Sequence, residues 1–93
     1  MILSFANKAT EAVFYGKRQK GFPADLFKVT ARKLAALDAA SVLSDLAFPP
    51  GNGLHALKDD RAGQHALKIN DQFRICFTWT EKGPVDVEFT DYH

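Results

Sequence analysis

The sequence has little of what marks several protein classes. Its single cysteine, Cys76, excludes an internal disulfide and with it the disulfide-rich secreted scaffolds. No apolar run approaches the roughly 20 residues that span a bilayer, so no membrane partner is predicted. Met1–Phe5 lacks the basic start of a secretory signal and has the composition of a short strand. These absences predict a cytoplasmic protein, and 93 residues suit a single domain over residues 1–93.

Acidic residues are scarce in the first part of the chain. Residues 1–36 hold seven Lys or Arg and two acidic residues, a net charge of +5, whereas residues 37–93 hold five and nine, a net charge of −4. A basic half predicts a surface that faces phosphate or an acidic partner. A solvated helix face would have the same composition, and charge alone does not separate the two.

Two helices are predicted in this basic half. Asn7 is a good N-cap for a helix to about Tyr15, which Gly16 can end. Pro23 suits the first position of a second helix that runs to about Ala40. The second helix has a stripe of apolar and small residues at helical spacing: Phe27, Thr30, Ala31, Leu34 and Leu37.

Prolines and glycines are few, and four of the ten lie close together after the predicted helices. Ser44–Gly53 contains two prolines and two glycines, which predicts a loop without regular structure. Leu54–Lys58 is predicted to be a short extended segment, and Asp59–Gly63 is typical of a turn.

The remaining residues alternate with the period of β-strands. Phe73–Thr80 has apolar residues at its odd positions, which predicts a half-buried strand whose even face is exposed. His65–Ile69 and Val85–Phe89 alternate in the same way and complete a three-strand meander. With the strand at Met1–Phe5, the pattern predicts an α+β fold. Two N-terminal helices would pack on the apolar face of a mostly antiparallel sheet of about four strands.

The loops of the meander predict its register. Glu81–Gly83 is a three-residue loop with glycine where a type I turn and bulge need left-handed φ. Asn70–Gln72 has the same parity and pairs Ile69 with Phe73. The Glu81–Gly83 loop predicts three further pairs: Thr80 with Pro84, Phe77 with Val87, and Arg74 with Thr90.

This register brings two cations together on the exposed face. Lys68 stands opposite Arg74, with Glu88 diagonal to Arg74. Like charges directly opposite destabilise a sheet by up to about 1 kcal/mol, so an anion is expected beside them. Two candidates remain open: the Glu88 carboxylate in a structural pair, or a ligand phosphate that fits the planar donors of arginine.

The chain has three histidines, His55, His65 and His93. Their spacing matches no common zinc pattern and there is no cysteine pair, so no metal site is predicted. His65 has the inward parity of its strand and is expected to pack rather than to catalyse. Imidazole titrates near neutrality, so two histidines near a phosphate are able to act as base and acid. RNA cleavage is therefore one hypothesis among several.

Four segments occur together in an informative order: Leu54–Lys58, Arg61 with Gly63 after it, Ile69–Ile75, and the ending Asp91-Tyr92-His93. In this order the chain resembles the HigB-type toxins of bacterial type II toxin–antitoxin systems, within the RelE superfamily of mRNA interferases. The succession of strand, two helices and meander is also similar. The resemblance therefore covers essentially the whole chain and implies a RelE-like fold.

The resemblance implies an endoribonuclease that needs neither metal nor cofactor. It would enter the ribosomal A site and cut mRNA as the 2′-hydroxyl attacks the adjacent phosphate. Lys58 and Arg74 would stabilise the developing charge, while Tyr92 would stack on a base or bind the phosphate. The implied catalytic residues are His55, Lys58, Arg74, Tyr92 and His93. The implied RNA-binding residues are Asp91, Lys68, Arg61, Lys28 and Arg32.

The resemblance also implies partners. These are a small helix-turn-helix antitoxin of the HigA type, the 70S ribosome with its mRNA, and operator DNA bound through the antitoxin complex. Two other classes remain open. One is a non-catalytic RNA- or ribosome-binding module of the same fold. The other is a structural partner domain in which Arg74 is paired with Glu88.

Three positions depart from the pattern of the HigB-type toxins. Asp59 stands where glycine is common and puts a negative charge beside Lys58. Phe73 stands where tryptophan is common before the arginine, and His65 stands where tryptophan or another large residue is common. The first change is expected to weaken RNA binding, and the other two are expected to alter packing.

Overall fold

The structure is a computed structural model that describes residues 1–91. Two predicted site residues, Tyr92 and His93, lie outside the described residues. No helix in the described range is long and apolar enough to cross a membrane. The helices and strands of residues 1–91 are α1 (Lys8–Phe14), α2 (Phe27–Ala39), β1 (His55–Ala56), β2 (His65–Lys68), β3 (Phe73–Thr80) and β4 (Gly83–Asp91).

The first helix is held at both ends by local chemistry. The Asn7 side-chain oxygen accepts hydrogen bonds from the Thr10 backbone N–H at 2.9 Å and from the Thr10 hydroxyl at 2.8 Å. Tyr15 is the C-cap, and Gly16 follows with φ +81°. The predicted cap and end of this helix are confirmed. Thr10 Oγ1 also accepts from the Phe89 N–H at 3.0 Å, which ties α1 to β4.

The second helix packs through the predicted stripe. Thr30, Leu34 and Leu37 are buried, and the helix ends one residue before the predicted Ala40. Pro23 precedes a 3₁₀ turn that leads into α2, so the helical segment begins close to where the sequence predicted.

The four strands form one antiparallel sheet in the order β1-β2-β3-β4. Both helices pack against β4 and against each other, on the face that carries Ile75 and Phe77. This is the predicted α+β architecture. The buried apolar cluster comprises Val13, Phe22, Leu34, Leu37, Leu46, Leu67, Ile75, Phe77 and Val87.

The N-terminal segment differs from the predicted strand. It runs alongside β4 with a single parallel bridge between Phe5 and Val87. The Leu3 N–H donates to the Pro84 carbonyl at 2.9 Å, so the segment is extended but too briefly paired to be a strand. Gly83 makes this approach possible, because a Cβ there would collide with the Met1 carbonyl oxygen.

The register between β3 and β4 is partly corrected. Arg74 pairs with Thr90 as predicted, but Thr80 pairs with Gly83 and not with Pro84. The extra residue lies within β4, where the register shifts opposite Cys76–Thr78 and Asp86 has φ +54°. The predicted pairing of Phe77 with Val87 falls inside this shift.

The proline-rich loop also differs from its prediction. Leu43–Ala47 and Pro50–Asn52 form 3₁₀ turns, so the segment has local regular structure after all. The Asp45 carboxylate accepts from the Ser41 N–H at 2.9 Å. Asn52 is buried and its amide donates to the Leu46 and Phe48 carbonyls, both at 3.1 Å. Side-chain bonds to the backbone therefore supply what the prolines remove.

Candidate functional site

The cationic row predicted across the sheet is present. Lys68 on β2, Arg74 on β3 and Thr90 on β4 are directly paired, and paired residues point to the same face. Lys68 is exposed and forms an ion pair with Asp71 at 3.3 Å. The face of the sheet opposite the helices therefore carries the candidate site.

The next row on this face is covered, although the sequence predicted an exposed face. The side chain of Cys76 is 0% exposed. The Arg61 guanidinium, from the 3₁₀ turn Asp59–Arg61, reaches over the sheet and pairs with Glu88 at 3.0 Å. A segment distant in sequence thus lies over this part of the face. The face is polar there, but it is closed to solvent.

The Glu88 carboxylate is therefore the counter-ion of Arg61. Arg61 also donates to the Gln64 side chain at 3.0 Å, so its guanidinium is bound on two sides. The hydrogen bond to Glu88 raises the pKa of Arg61 above its ordinary value. Two anions were candidates for the Lys68–Arg74 pair, the Glu88 carboxylate and a ligand phosphate. The structure pairs Glu88 with Arg61.

Arg74 lies at the edge of this cover. Its positive charge lies close enough to the Cys76 thiol to act on it. Burial raises the pKa of the Cys76 thiol, and the positive charge of Arg74 acts in the opposite direction. The thiol is thus a neutral neighbour of the Arg74 guanidinium.

A solvent-open polar cleft of about 550 Å³ lies beside this row. It brings together four of the predicted site residues, of which Lys58 and Arg74 are assigned to catalysis and Arg61 and Asp91 to RNA binding. Its three cations are matched by three aspartates, and Arg61 is paired with Glu88, so Lys58 and Arg74 are the cations that this cleft offers to a phosphate. The cleft is lined by Leu57, Lys58, Asp59, Asp60, Arg61, Arg74, Thr90 and Asp91.

Acidic groups form part of the same cleft. Asp91 is half-buried and accepts a hydrogen bond from the Gln72 amide at 3.0 Å. Asp59 is exposed and has φ +58°, a left-handed conformation that suits glycine better than aspartate. Glycine would adopt this conformation without strain. Asp59 also places a carboxylate beside Lys58.

Among residues 1–91, the other predicted site residues lie outside the lining of this cleft. His55 is exposed on β1, and its Nδ1 lies 2.7 Å from the Gly53 carbonyl oxygen. It pairs with Ala66, so it belongs to the same face of the sheet as Arg74. Lys28 and Arg32 are exposed on α2.

His65 is half-buried and stacks on Phe77 with ring centroids 6.3 Å apart, which confirms that it packs as predicted. Within residues 1–91, no group of three or more His, Cys, Asp or Glu side chains is placed to hold a metal ion.

Sequence reasoning missed one residue, Lys33. It is only 9% exposed, and its ammonium donates to the backbone carbonyl of Lys68, which is directly opposite Arg74. A signal was available, because Lys33 follows Thr30 by three residues and precedes Leu37 by four. A lysine at that spacing occupies a core-facing position of the helix.

The fold and the cleft together define a small α+β protein with a charged, solvent-open site on the face of the sheet opposite the helices. The sequence model of the HigB-like toxin family, described as the RelE-like toxin of the type II toxin–antitoxin system HigB, matches residues 3–93. The chain belongs to this family. Membership implies an antitoxin as a partner.

Individual relatives agree with the family assignment. The Vibrio cholerae protein named Toxin HigB-1 is 35% identical over 82 residues, which cover 87% of this chain and 86% of that protein. The Proteus vulgaris protein named Endoribonuclease HigB is 31% identical over 94 positions and 100% of both chains. An uncharacterized Haemophilus influenzae protein is 32% identical over 79 residues, 85% of this chain and 77% of that protein.

Proposed function

We propose that this toxin is an endoribonuclease that cleaves mRNA in the ribosomal A site without a metal ion. The observation that carries the proposal is the meeting of Lys58 and Arg74 in one open cleft. Their segments are separated by a turn and a strand in sequence, and the sheet brings them together. The name of the Proteus vulgaris relative, an endoribonuclease, supports the same activity.

The proposed reaction uses the RNA's own nucleophile. The 2′-oxygen attacks the adjacent phosphorus, the bond from phosphorus to the 5′-oxygen breaks, and a 2′,3′-cyclic phosphate and a 5′-hydroxyl result. A base takes the proton of the 2′-hydroxyl, and an acid gives one to the 5′-oxygen. Lys58 and Arg74 would stabilise the charge on the non-bridging phosphate oxygens.

His55 is the described candidate for the proton transfers. A carbonyl oxygen only accepts hydrogen bonds, so the contact with the Gly53 carbonyl requires a proton on Nδ1. In the neutral ring this leaves Nε2 as the acceptor, the form that a general base needs. We assign the second proton transfer to His93, with Tyr92 binding the base or the phosphate.

The exposed cations outside the cleft would hold the toxin on ribosomal RNA. Lys28 and Arg32 lie one helical turn apart on α2, and Lys68 adjoins Arg74 on the sheet. Each phosphate contact releases counterions, so affinity would fall as salt rises. Arg61 would contribute less than these residues, because Glu88 and Gln64 already bind its guanidinium.

The test is cleavage of a defined mRNA in a translating extract, with the 5′ ends mapped by primer extension. Wild-type protein is expected to cut only ribosome-bound mRNA and to remain active in the presence of a chelator. Arg74→Ala is expected to lose most of the cleavage. Lys82→Ala is the matched control, since Lys82 is an exposed cation in the turn at the far end of β3.

The outcomes separate the alternatives. Cuts in ribosome-free mRNA would keep the nuclease and reject ribosome dependence. Uncut mRNA from folded wild-type protein would favour the non-catalytic RNA- or ribosome-binding module. Equal cleavage by the Arg74→Ala and wild-type proteins would show that the chemistry lies elsewhere.

A further inference from the structure

Lys33 is a buried cation that connects three segments of the molecule. It belongs to α2, and its side chain is among the buried residues at 9% exposure. Its ammonium donates to the carbonyl oxygen of Lys68 at the end of β2, and to that of Gly51 at 3.5 Å. Within residues 1–91 its hydrogen-bond partners are thus backbone carbonyls, without a carboxylate to neutralise the charge.

Such a position is unfavourable for an ammonium group. Burial lowers the pKa of Lys33, and the nearby positive charges of Arg32 and Lys68 lower it further. A leucine or methionine would satisfy the apolar stripe of α2 without this cost. We therefore expect the ammonium to contribute through its hydrogen bonds to these two carbonyl oxygens.

Both carbonyls belong to segments that lead directly to the candidate site. Lys68 is directly opposite Arg74 in the sheet. Gly51 lies in the 3₁₀ turn that enters β1, followed by Gly53, whose carbonyl contacts the ring of His55.

The two segments also touch each other beside Lys33. Gly53 has φ +59°, and a Cβ at that position would lie 3.0 Å from the Cβ of Lys68. The segment that precedes β1 and the end of β2 are therefore in close contact, and the Lys33 ammonium donates to a carbonyl oxygen of each.

We propose that Lys33 is a positioning residue, whose ammonium sets the placement of His55 relative to the Lys68–Arg74 pair. Its contribution to cleavage rests on the proposed function, whereas its effect on geometry does not. Because displacements of about 1 Å are able to cost as much as about a hundredfold in rate, a support of this kind affects turnover more than RNA binding.

The experiment replaces the ammonium without removing its volume. Lys33→Met keeps a long side chain but has no donor, and Lys33→Arg restores donors and charge. Lys82→Met is the matched control at an exposed lysine. NMR spectra would report the imidazole nitrogens of His55 and the backbone amides of Gly53 and Lys68, and single-turnover cleavage would be measured on the same samples.

Lys33→Met is expected to shift the His55 and Lys68 signals and to slow single-turnover cleavage about tenfold or more, with RNA affinity changed less than about twofold. Lys33→Arg is expected to recover part of the rate. Lys82→Met is expected to match wild type in both measurements. Unchanged His55 and Lys68 signals in folded Lys33→Met would overturn the proposal.

A second variant covers the case in which Lys33→Met does not fold. Lys33→Ala removes three carbons and the nitrogen, a volume that propylammonium fills. Rescue by propylammonium but not by 1-chloropropane, which has a similar size and no donor, would support a role for the ammonium. Equal rescue by both would show packing alone and overturn it. If wild type cuts no RNA while the NMR shifts still occur, the positioning role stands and the proposed nuclease fails.

Discussion

The two faces of β3 are buried by different chemistry. Ile75 and Phe77, on the face towards the helices, are fully buried within the apolar cluster. Cys76, on the opposite face, is also 0% exposed, but it lies beneath the Arg61–Glu88 ion pair and beside Arg74. Equal burial thus serves two purposes. One face provides stability, and the other holds a cation at the edge of an open cleft.

The largest difference between the faces is expected in stability. Ile75→Ala would create a cavity in the apolar cluster and lower the free energy of unfolding by about 3 kcal/mol. Arg74→Met on the opposite face is expected to lower it by less than about 1 kcal/mol while abolishing most cleavage. Urea unfolding and cleavage per folded molecule would be measured for both. A comparable loss of stability in both variants would remove the distinction between the faces.

The cover of the site face is the next part of the comparison. Glu88→Gln would leave the partly buried Arg61 without its counter-ion and is expected to cost about 1–2 kcal/mol of unfolding free energy. Asp71→Asn breaks the exposed Lys68–Asp71 pair instead and is expected to cost less than about 0.5 kcal/mol. If both changes cost the same in urea unfolding, the Arg61–Glu88 pair contributes no more than a surface pair.

The core face was predictable because its signals are local. Phe73–Thr80 alternates over eight residues without a turn residue, and the structure gives that strand the predicted bounds. The helix cap at Asn7 is likewise a short-range pattern. For the site face, the pairing of Lys68 with Arg74 followed from loop parity. The roles given to Tyr92 and His93 remain predictions.

The rest depends on contacts between distant parts of the chain. The bulge at Asp86 could not be placed, since aspartate in left-handed φ has only a weak sequence signal. The cover over Cys76 comes from Arg61, which no alternation pattern relates to β3. Lys33 was missed because lysine is usually exposed, although its spacing on α2 put it on the buried stripe.

The buried thiol gives the site face a pH dependence with a definite sign. Burial raises the pKa of Cys76 above its ordinary value of 9.0. Below pH 9.0 the thiol is protonated whether the chain is folded or not, whereas above it the unfolded chain loses the proton first. Stability is therefore expected to fall with pH, by at most about 1.4 kcal/mol per pH unit.

Cys76→Ala is expected to remove the part of the pH dependence of stability that Cys76 causes and to keep the parts that other groups cause. The lowered pKa of Lys33 acts with the opposite sign, because its buried charge is relieved as pH rises towards 10.5, and it is common to both proteins. The measurement is the difference in unfolding free energy between wild type and Cys76→Ala from pH 7 to pH 10. A difference independent of pH would mean that the folded thiol ionises as readily as the unfolded one.

The smallest effect is expected at the rim of the cleft, from Asp59→Gly. Glycine accepts the φ of +58° without strain but loses more entropy on folding, so unfolding free energy is expected to change by less than about 0.5 kcal/mol. RNA affinity at low salt is expected to rise severalfold, because a carboxylate beside Lys58 is lost, and the gain is expected to shrink as salt rises.

Asp59→Asn separates charge from conformation, and Asp60→Asn removes the same charge from a neighbouring residue. If Asp59→Gly tightens binding and Asp59→Asn does not, conformation controls the rim. Equal gains from all three variants would reduce the effect to net charge.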